Sequence, residues 1–116
     1  MIKIAIPITE NILSERFGKC SHYIVYEIEK KTIVNKKNIV PPINDIDKLA
    51  TWAESTGITD VIVNYISKYY LEYFSNTKIN LFVGVKQDTP EQLIERYLNG
   101  TLKSDAHIFE KKNNEK

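Results

Sequence analysis

Cysteine is nearly absent from this sequence: among 116 residues Cys20 stands alone, and the histidines are His22 and His107. A single cysteine cannot form an internal disulfide, and it cannot supply the several thiolates of a zinc cage or an iron–sulfur centre. Any metal chemistry must therefore use few protein ligands, share ligands between subunits, or involve a cluster that arrives already assembled.

Glycine and proline are also scarce, with four of each, and the four glycines stand apart from one another. Isolated glycines exclude the glycine-rich loops that cradle phosphate groups in nucleotide-binding proteins. No run of uncharged residues approaches the roughly 20 that a membrane-spanning helix needs. The first residues also lack the pattern of a signal peptide. We therefore expect a soluble, cytoplasmic protein with no membrane partner.

The sequence has no excess of charge of either sign, since 16 basic and 15 acidic side chains leave a formal net charge of +1. Binding to nucleic acid depends largely on basic side chains that neutralise phosphates, so we expect no nucleic-acid partner. The length fits one domain with a substantial core. We assign this domain to residues 1–103, interpret residues 104–116 as a polar, flexible tail, and expect a monomer or a weak homodimer.

Strand patterns dominate the first third of the chain. Alternating isoleucines predict a strand that begins at Ile2 and ends close to Pro7. Residues 9–19 follow neither the helical nor the strand period, which predicts a long ordered loop. Residues 21–29 and 32–40 alternate again on either side of a short polar turn. This arrangement predicts an antiparallel hairpin.

The second half of the chain alternates helical and buried-strand patterns. Helices are predicted to begin after the capping residues Asn44, Ser67 and Thr89, and strands to span residues 58–63 and 79–83. Thr89 is the strongest of the three capping signals, because a proline follows it directly and a glutamine stands three residues further on. The final helix is predicted to end at an Asn-Gly pair.

The predicted order of elements is therefore β-β-β-α-β-α-β-α, an α/β fold with a five-stranded mixed sheet. Right-handed crossovers make the later strands parallel to the first and place helices on both faces, giving three α/β/α layers. Ligands of such sheets bind beyond the carboxyl ends of the parallel strands. Three loops are expected there, at residues 9–19, 64–67 and 84–87, and we call them the rim.

The most specific motif of the chain lies in the first rim loop, where Leu13-Ser14-Glu15-Arg16-Phe17-Gly18-Lys19-Cys20 separates two strand patterns. Together with residues 57–63, 79–85 and 99–103, this motif resembles the dinitrogenase iron-molybdenum cofactor biosynthesis family. That family includes the NifX-like proteins and the C-terminal domain of NifB. The resemblance extends over residues 2–103.

The resemblance implies a ribonuclease-H-like fold and a protein that is not an enzyme. It implies binding or carriage of an iron-sulfur or iron-molybdenum cofactor precursor, related to nitrogen fixation, with metallocluster or cluster-assembly proteins as partners. At the matched positions, Arg16 offers charge to an anionic cofactor, Phe17 anchors the loop, and Gly18 permits a tight turn. A purely structural role for Phe17 and Gly18 is the alternative.

Two nearby side chains are candidate metal ligands. Cys20 supplies a thiolate, the preferred ligand of iron–sulfur clusters. His22 stands two positions later, and side chains two apart on a strand point to the same face. The two side chains are therefore expected to face a common pocket, although a free cysteine at such a position is commonly just a small packed residue.

The chain departs from the family pattern in two loops. Residues 41–45 replace a glycine-rich loop after the third predicted strand, and Asn64 and Tyr65 replace a Gly-Gly turn after the fourth. The larger side chains narrow a cluster-sized pocket and place Asn64 and Tyr65 beside any cofactor bound at the rim.

A second hypothesis is that the protein is an interaction module that kept the fold but lost cofactor binding. Tyrosine is enriched at protein interfaces, and four tyrosines cluster in the second half of the chain. The alternative is that these rings pack one helix onto the sheet, with a phenylalanine beside them. The residues concerned are Tyr65, Tyr69, Tyr70, Tyr73 and Phe74.

Overall fold

A computed structural model describes residues 1–15, 20–40 and 46–104, apart from the side chains of residues 46, 47 and 69. The predicted cap Asn44 and the tail from residue 105 onwards lie outside this part of the chain. The described helices have eight to ten residues, and none of them is long and apolar enough to cross a membrane. The elements of the described residues are β1 (Ile2–Thr9), β2 (Ile12–Leu13), β3 (His22–Glu29), β4 (Thr32–Ile39), α1 (Ile46–Ser55), β5 (Asp60–Ile62), α2 (Lys68–Ser75), β6 (Asn80–Phe82) and α3 (Pro90–Asn99).

The strands form one mixed sheet in the order β4-β3-β1-β5-β6. The two-residue strand β2 pairs with the end of β1. β1 pairs antiparallel with β3 and parallel with β5, and β5 pairs parallel with β6. The predicted hairpin is confirmed as β3 and β4. Helices α1 and α2 cover one face of the sheet and α3 covers the other, so the three-layer arrangement is confirmed.

Strand β2 is an element that the sequence pattern did not predict. The chain turns at Glu10 and Asn11, whose φ angles are 53° and 71°, and Ile12 and Leu13 then pair antiparallel with the end of β1. Positive φ at both central residues is the geometry of a tight type I′ hairpin turn. The usual Asn-Gly signal for this turn is missing, because glutamate precedes the asparagine. The sheet therefore has six strands among the described residues, not five.

Strand β1 continues two residues past Pro7 instead of ending there. Pro7 lies opposite Tyr23 of β3, and its carbonyl accepts a 2.8 Å hydrogen bond from the N–H of Ser14 on the other side. A proline has no N–H to donate to a sheet. Parallel pairing with β5 involves only Ile4 and Ala5, so the missing donor faces a side where that ladder has already ended.

Two hydrophobic clusters fill the spaces between the sheet and the helices. β1 sends Ala5 to one face and Ile4, Ile6 and Ile8 to the other, as the two-residue alternation of a strand requires. We call the first cluster the α1–α2 core and the second the α3 core. The predicted buried stripes of α1 and α3 are confirmed by Leu49, Ala50, Ala53, Leu93 and Ile94.

Helix α2 presents fewer aromatic rings to the core than the sequence pattern predicted. Phe74 is buried and Tyr70 is partly buried in the α1–α2 core, but 42% of Tyr73 is exposed. Tyr70 and Phe74 are four residues apart and share one helix face. Tyr73 is turned about 100° away from Phe74, because each residue advances the helix by that angle. The prediction that Tyr73 packs on the apolar side is therefore wrong.

Both ends of α3 are confirmed where the sequence placed them. Thr89 is the N-cap, and its hydroxyl accepts a 3.3 Å hydrogen bond from the N–H of Gln92. Pro90 occupies the first helical position, where its missing N–H has no intrahelical partner to lose. Gly100 ends the helix with a φ of 72°, a left-handed conformation that glycine adopts without steric cost.

Candidate functional site

The three predicted rim loops meet at the carboxyl ends of β1, β5 and β6. The main-chain N–H of Tyr65 donates to the carbonyl of Glu15 over 3.2 Å, which joins the first loop to the second. The N–H of Leu13 donates to the carbonyl of Asp88 over 3.0 Å, which joins the first loop to the segment after β6. These hydrogen bonds connect segments that are far apart in sequence, so the rim is one continuous surface.

Asn64 ties the second rim loop to the third. Its side-chain Nδ2 donates to the carbonyl of Val85 over 2.8 Å, and its own carbonyl accepts a 3.0 Å hydrogen bond from the N–H of Gly84. The acceptor of the second bond is the main-chain oxygen, which any residue offers, whereas the first bond needs the amide donor of the asparagine side chain. Asn64 therefore positions the loop that carries Tyr65. The prediction that these two residues contact a cofactor stays a prediction.

Cys20 lies just before β3, beside the end of β1, with its side chain partly buried against the α1–α2 core. The main-chain N–H groups of Ile8 and of Cys20 itself and the hydroxyl of Tyr23 lie close enough to the sulfur to influence the pKa of the thiol. Tyr70 of α2 lies close enough to interact electrostatically with the thiol. We call Cys20, Tyr23 and Tyr70 the thiol site, because these three groups influence one another's pKa values.

The surroundings of the thiol site keep its groups protonated at neutral pH. Burial raises the pKa of the Cys20 thiol, while the Tyr23 hydroxyl and the two main-chain N–H groups act in the opposite direction. Burial, and then the neighbouring Cys20, raise the pKa of both Tyr23 and Tyr70. A metal must displace the thiol proton before it can bind the sulfur. Metal binding at Cys20 is therefore expected to release a proton and to strengthen as the pH rises.

Replacing Tyr23 by phenylalanine is expected to raise the pKa of Cys20 further, because the thiolate loses a hydroxyl donor. The rate of alkylation by iodoacetamide, measured from pH 7 upwards, reports the thiolate fraction, and its midpoint should move to higher pH in Tyr23→Phe. Tyr26→Phe is the matched control, since Tyr26 lies on the same strand but packs in the α3 core. An unchanged or lower midpoint in Tyr23→Phe contradicts the proposed hydrogen bond.

His22 and Cys20 are not brought to one face of the sheet. His22 lies opposite Ile8, whose side chain belongs to the α3 core, whereas Cys20 packs on the α1–α2 core. The chain bends at Ser21 before β3 begins, so the strand alternation does not extend back to Cys20. The Nδ1 atom of His22 lies 3.0 Å from the hydroxyl of Ser21. A metal site that includes His22 stays a prediction.

The predicted site residues Arg16, Phe17 and Gly18 lie outside the described residues. The nearest described residues before and after this segment are Glu15 and Cys20, and both lie at the rim: Glu15 accepts the hydrogen bond from the second rim loop, and Cys20 lies beside the end of β1. The roles inferred for the three residues stay predictions.

The placement of Cys20 near the two tyrosines is a feature that the sequence patterns did not indicate. The alternation of β3 places Tyr23 on the same face as Val25, but it does not show which helix covers that face. The ring of Tyr23 also packs against Trp52 of α1, with 5.5 Å between the ring centroids. No local pattern relates Cys20 to Tyr70 on α2, because only the packing of the helix on the sheet brings them together.

Comparison with known proteins supports the fold. The chain is 30% identical over 107 residues to the uncharacterized protein MJ0580 of Methanocaldococcus jannaschii, covering 88% of this chain and 90% of that protein. The crystal structure of PH0822 superposes with a TM-score of 0.81 at 23% identity, covering 90% and 96% of the two chains. The apo form of the orange protein from Desulfovibrio gigas gives 0.72 at 16% identity, with 91% and 94% covered. Both structures share this fold.

Family membership follows from a match over most of the chain. The model of the family described as dinitrogenase iron-molybdenum cofactor matches residues 1–100, a range that contains the rim, the thiol site and helices α1, α2 and α3. The resemblance inferred from the motif around Cys20 is thereby confirmed. This chain belongs to the dinitrogenase iron-molybdenum cofactor family.

Proposed function

We propose that this protein binds and carries an iron-sulfur or iron-molybdenum cofactor precursor at the rim, without catalysing a reaction on it. The observation that carries this proposal is the position of Cys20 at the end of β1, partly buried against the α1–α2 core beside Tyr23. Family membership supports the class of cargo. The proposed partners are metallocluster or cluster-assembly proteins that deliver and receive the precursor.

The donor set of the described residues fits a cluster that arrives already assembled. In the part of the chain that the structure describes, no three His, Cys, Asp or Glu side chains lie close enough together to hold a metal ion. A single thiolate can still hold a prebuilt cluster by one iron atom. The N–H groups of Ile8 and Cys20 and the hydroxyl of Tyr23 lie near this sulfur, and hydrogen bonds from such groups would tune a bound cluster.

The other predicted site residues have compatible roles in this proposal. Arg16 would supply positive charge to an anionic precursor, and Phe17 and Gly18 would shape the loop that carries it. The hydrogen bond between Tyr65 and Glu15 supports a contact between this loop and the second rim loop.

The element order also supports the proposed ribonuclease-H-like assignment of the fold. The antiparallel strands β1, β3 and β4 precede the first helix, and helices and parallel strands then alternate. The short strand β2 is an addition within the first rim loop. The assignment concerns the fold alone, and the proposed function rests on the thiol site.

Anaerobic reconstitution with iron and sulfide, followed by desalting, tests the proposed function. The natural chain is expected to retain visible absorption. Cys20→Ala and Cys20→Ser are each expected to retain about one tenth of that absorption or less. Cys20→Ser keeps the size and the hydrogen-bonding capacity of the side chain, so its loss of absorption reports loss of the sulfur ligand. His22→Ala, measured in parallel, shows whether the imidazole contributes.

Two results would contradict the proposal. One is absorption in Cys20→Ala equal to that of the natural chain, and the other is no absorption above a protein-free control. Circular dichroism of each variant serves as the folding control, because Cys20 also packs on the α1–α2 core.

The second candidate function is an interaction module, and the exposure of Tyr73 on α2 favours it. An exposed aromatic ring on a short helix is a common anchor of protein interfaces. Cross-linking to a purified cluster-assembly protein, lost in Tyr73→Ala while Cys20→Ala binds normally, supports this function independently of any cluster. Equal cross-linking by all variants argues against it.

A further inference from the structure

A cavity of about 550 Å³ lies on the α3 side of the sheet, away from the thiol site. The loop after β6, helix α3 and the segment that follows α3 form its walls. Val85 and Leu102 contribute apolar surface and belong to or pack against the α3 core. Lys86, Arg96 and Lys103 bring three cationic side chains from three separate segments to the same opening. We call this space the basic cavity.

One wall of the basic cavity is held by Asp88. Its carboxylate accepts a 2.8 Å hydrogen bond from the N–H of Thr89 and a 2.7 Å hydrogen bond from Nη2 of Arg96. The main-chain N–H of Thr89, and then Arg96, hold the pKa of Asp88 below its usual range. The side chain of Gln87 donates to the carbonyl of Leu13 over 2.9 Å, which joins the third rim loop to the first. The ion pair with Asp88 therefore fixes the orientation of the Arg96 guanidinium.

The opposite wall is formed by the chain that leaves α3. Gly100 turns the backbone, and the N–H groups of Thr101 and Leu102 donate to the carbonyl of Arg96 over 2.8 and 3.2 Å. Leu102 packs against the α3 core. These contacts fold the segment back along the helix, so that Lys103 lines the cavity together with the residues of the loop after β6.

The charges at the basic cavity are unbalanced. Three cations face one carboxylate in a protein whose formal net charge is only +1. Lys86 and Lys103 are exposed, and neither forms an ion pair with another residue of the described part of the chain. Arg96 has five N–H donors, of which the described ion pair to Asp88 uses Nη2. The cavity thus offers several cationic donors to an anion.

We propose that the basic cavity binds a small molecule that carries two or more phosphate or carboxylate groups. The volume lies within the range of about 300–1,000 Å³ that is typical of small-molecule sites. Arginine and lysine are the usual partners of both anions, and the apolar surface accommodates the carbon skeleton of the ligand. The ligand proposed here is distinct from the cargo of the proposed function: Val85, Lys86 and Gln87 belong to the third rim loop, but Cys20 packs on the other face of the sheet.

Isothermal titration calorimetry at low ionic strength tests the inference. Pyrophosphate is the phosphate probe and citrate is the carboxylate probe. The double variant Lys86→Ala/Lys103→Ala is expected to bind about tenfold more weakly than the natural chain, because two charge-assisted contacts are lost. The matched control is Lys30→Ala/Lys78→Ala, which removes the same charge from two exposed lysines outside the cavity. Arg96 is left in place because it anchors Asp88.

The possible outcomes either support the site or overturn it. Binding of one probe or both, weakened only in Lys86→Ala/Lys103→Ala, supports the site and shows which anion it prefers. Equal weakening in the two double variants indicates attraction to the net charge of the protein and overturns the inference. Failure of the natural chain to bind either probe at millimolar concentration also overturns it. Circular dichroism confirms that both variants are folded.

Discussion

Phe74→Ala is expected to lower the free energy of unfolding by about 3–5 kcal/mol, the usual cost of truncating a buried aromatic side chain. Phe74 is 2% exposed and is the most deeply buried of the described side chains of α2, where it packs in the α1–α2 core. Removing the ring takes away its buried apolar surface and leaves a cavity, since α1 and the sheet cannot close the space completely. The measurement is urea unfolding followed by circular dichroism, with the slope checked for two-state behaviour.

Tyr73→Ala provides a control on the adjacent residue of the same helix. Tyr73 is 42% exposed, so its truncation is expected to cost about 1 kcal/mol or less. Both variants replace an aromatic residue by alanine and change the helix propensity of α2 in the same direction. Comparable losses in the two variants would show that α2 is rotated relative to the packing described above.

Leu93→Ala is expected to lower the free energy of unfolding by about 3–5 kcal/mol. Leu93 is fully buried on the inner face of α3 and packs in the α3 core with residues of the central strands, such as Ile6 and Ile62. Central strands and a capped helix cannot easily move inward to fill the space. The cost is therefore expected near the upper part of the range for leucine truncation.

Leu93→Met tests whether the lost side-chain volume explains the destabilisation of Leu93→Ala. The two side chains have similar volumes, so the substitution is expected to cost less than about 1.5 kcal/mol. The same urea titration measures both variants. A loss in Leu93→Met as large as that in Leu93→Ala would mean that the shape of the side chain matters more than the cavity. A loss below 1 kcal/mol in Leu93→Ala would contradict the burial of this position.

The elements that could be predicted from the sequence are those with local causes. Thr89, Pro90 and Gly100 define α3 by capping interactions that lie within a few residues of each end. Alternation along β1 and β3 correctly divides their side chains between two faces. The errors also have physical reasons. β2 depends on an unusual Glu-Asn turn, and Pro7 is tolerated inside β1 only because the ladder to β5 ends before it.

The candidate site could be predicted only in part. The rim followed from the rule that ligands bind at the carboxyl ends of parallel strands, and hydrogen bonds such as that from Asn64 to Val85 confirm that its loops meet. The expected common pocket for Cys20 and His22 rested on strand alternation, which fails because the chain bends at Ser21. The basic cavity had no sequence signal, since its cations come from separate segments.

The scarcity of cysteine determines from the sequence alone that this protein cannot build a multi-thiolate metal site by itself. The sequence also determines the order of the main strands and helices and the family motif around Cys20, because these depend on local patterns. Only the tertiary structure decides that Tyr23 and Tyr70 surround the thiol while Lys86 and Lys103 line a cavity on the opposite face. Which residues become neighbours depends on how the helices pack on the sheet, and the local periodicity of the sequence carries no information about that packing.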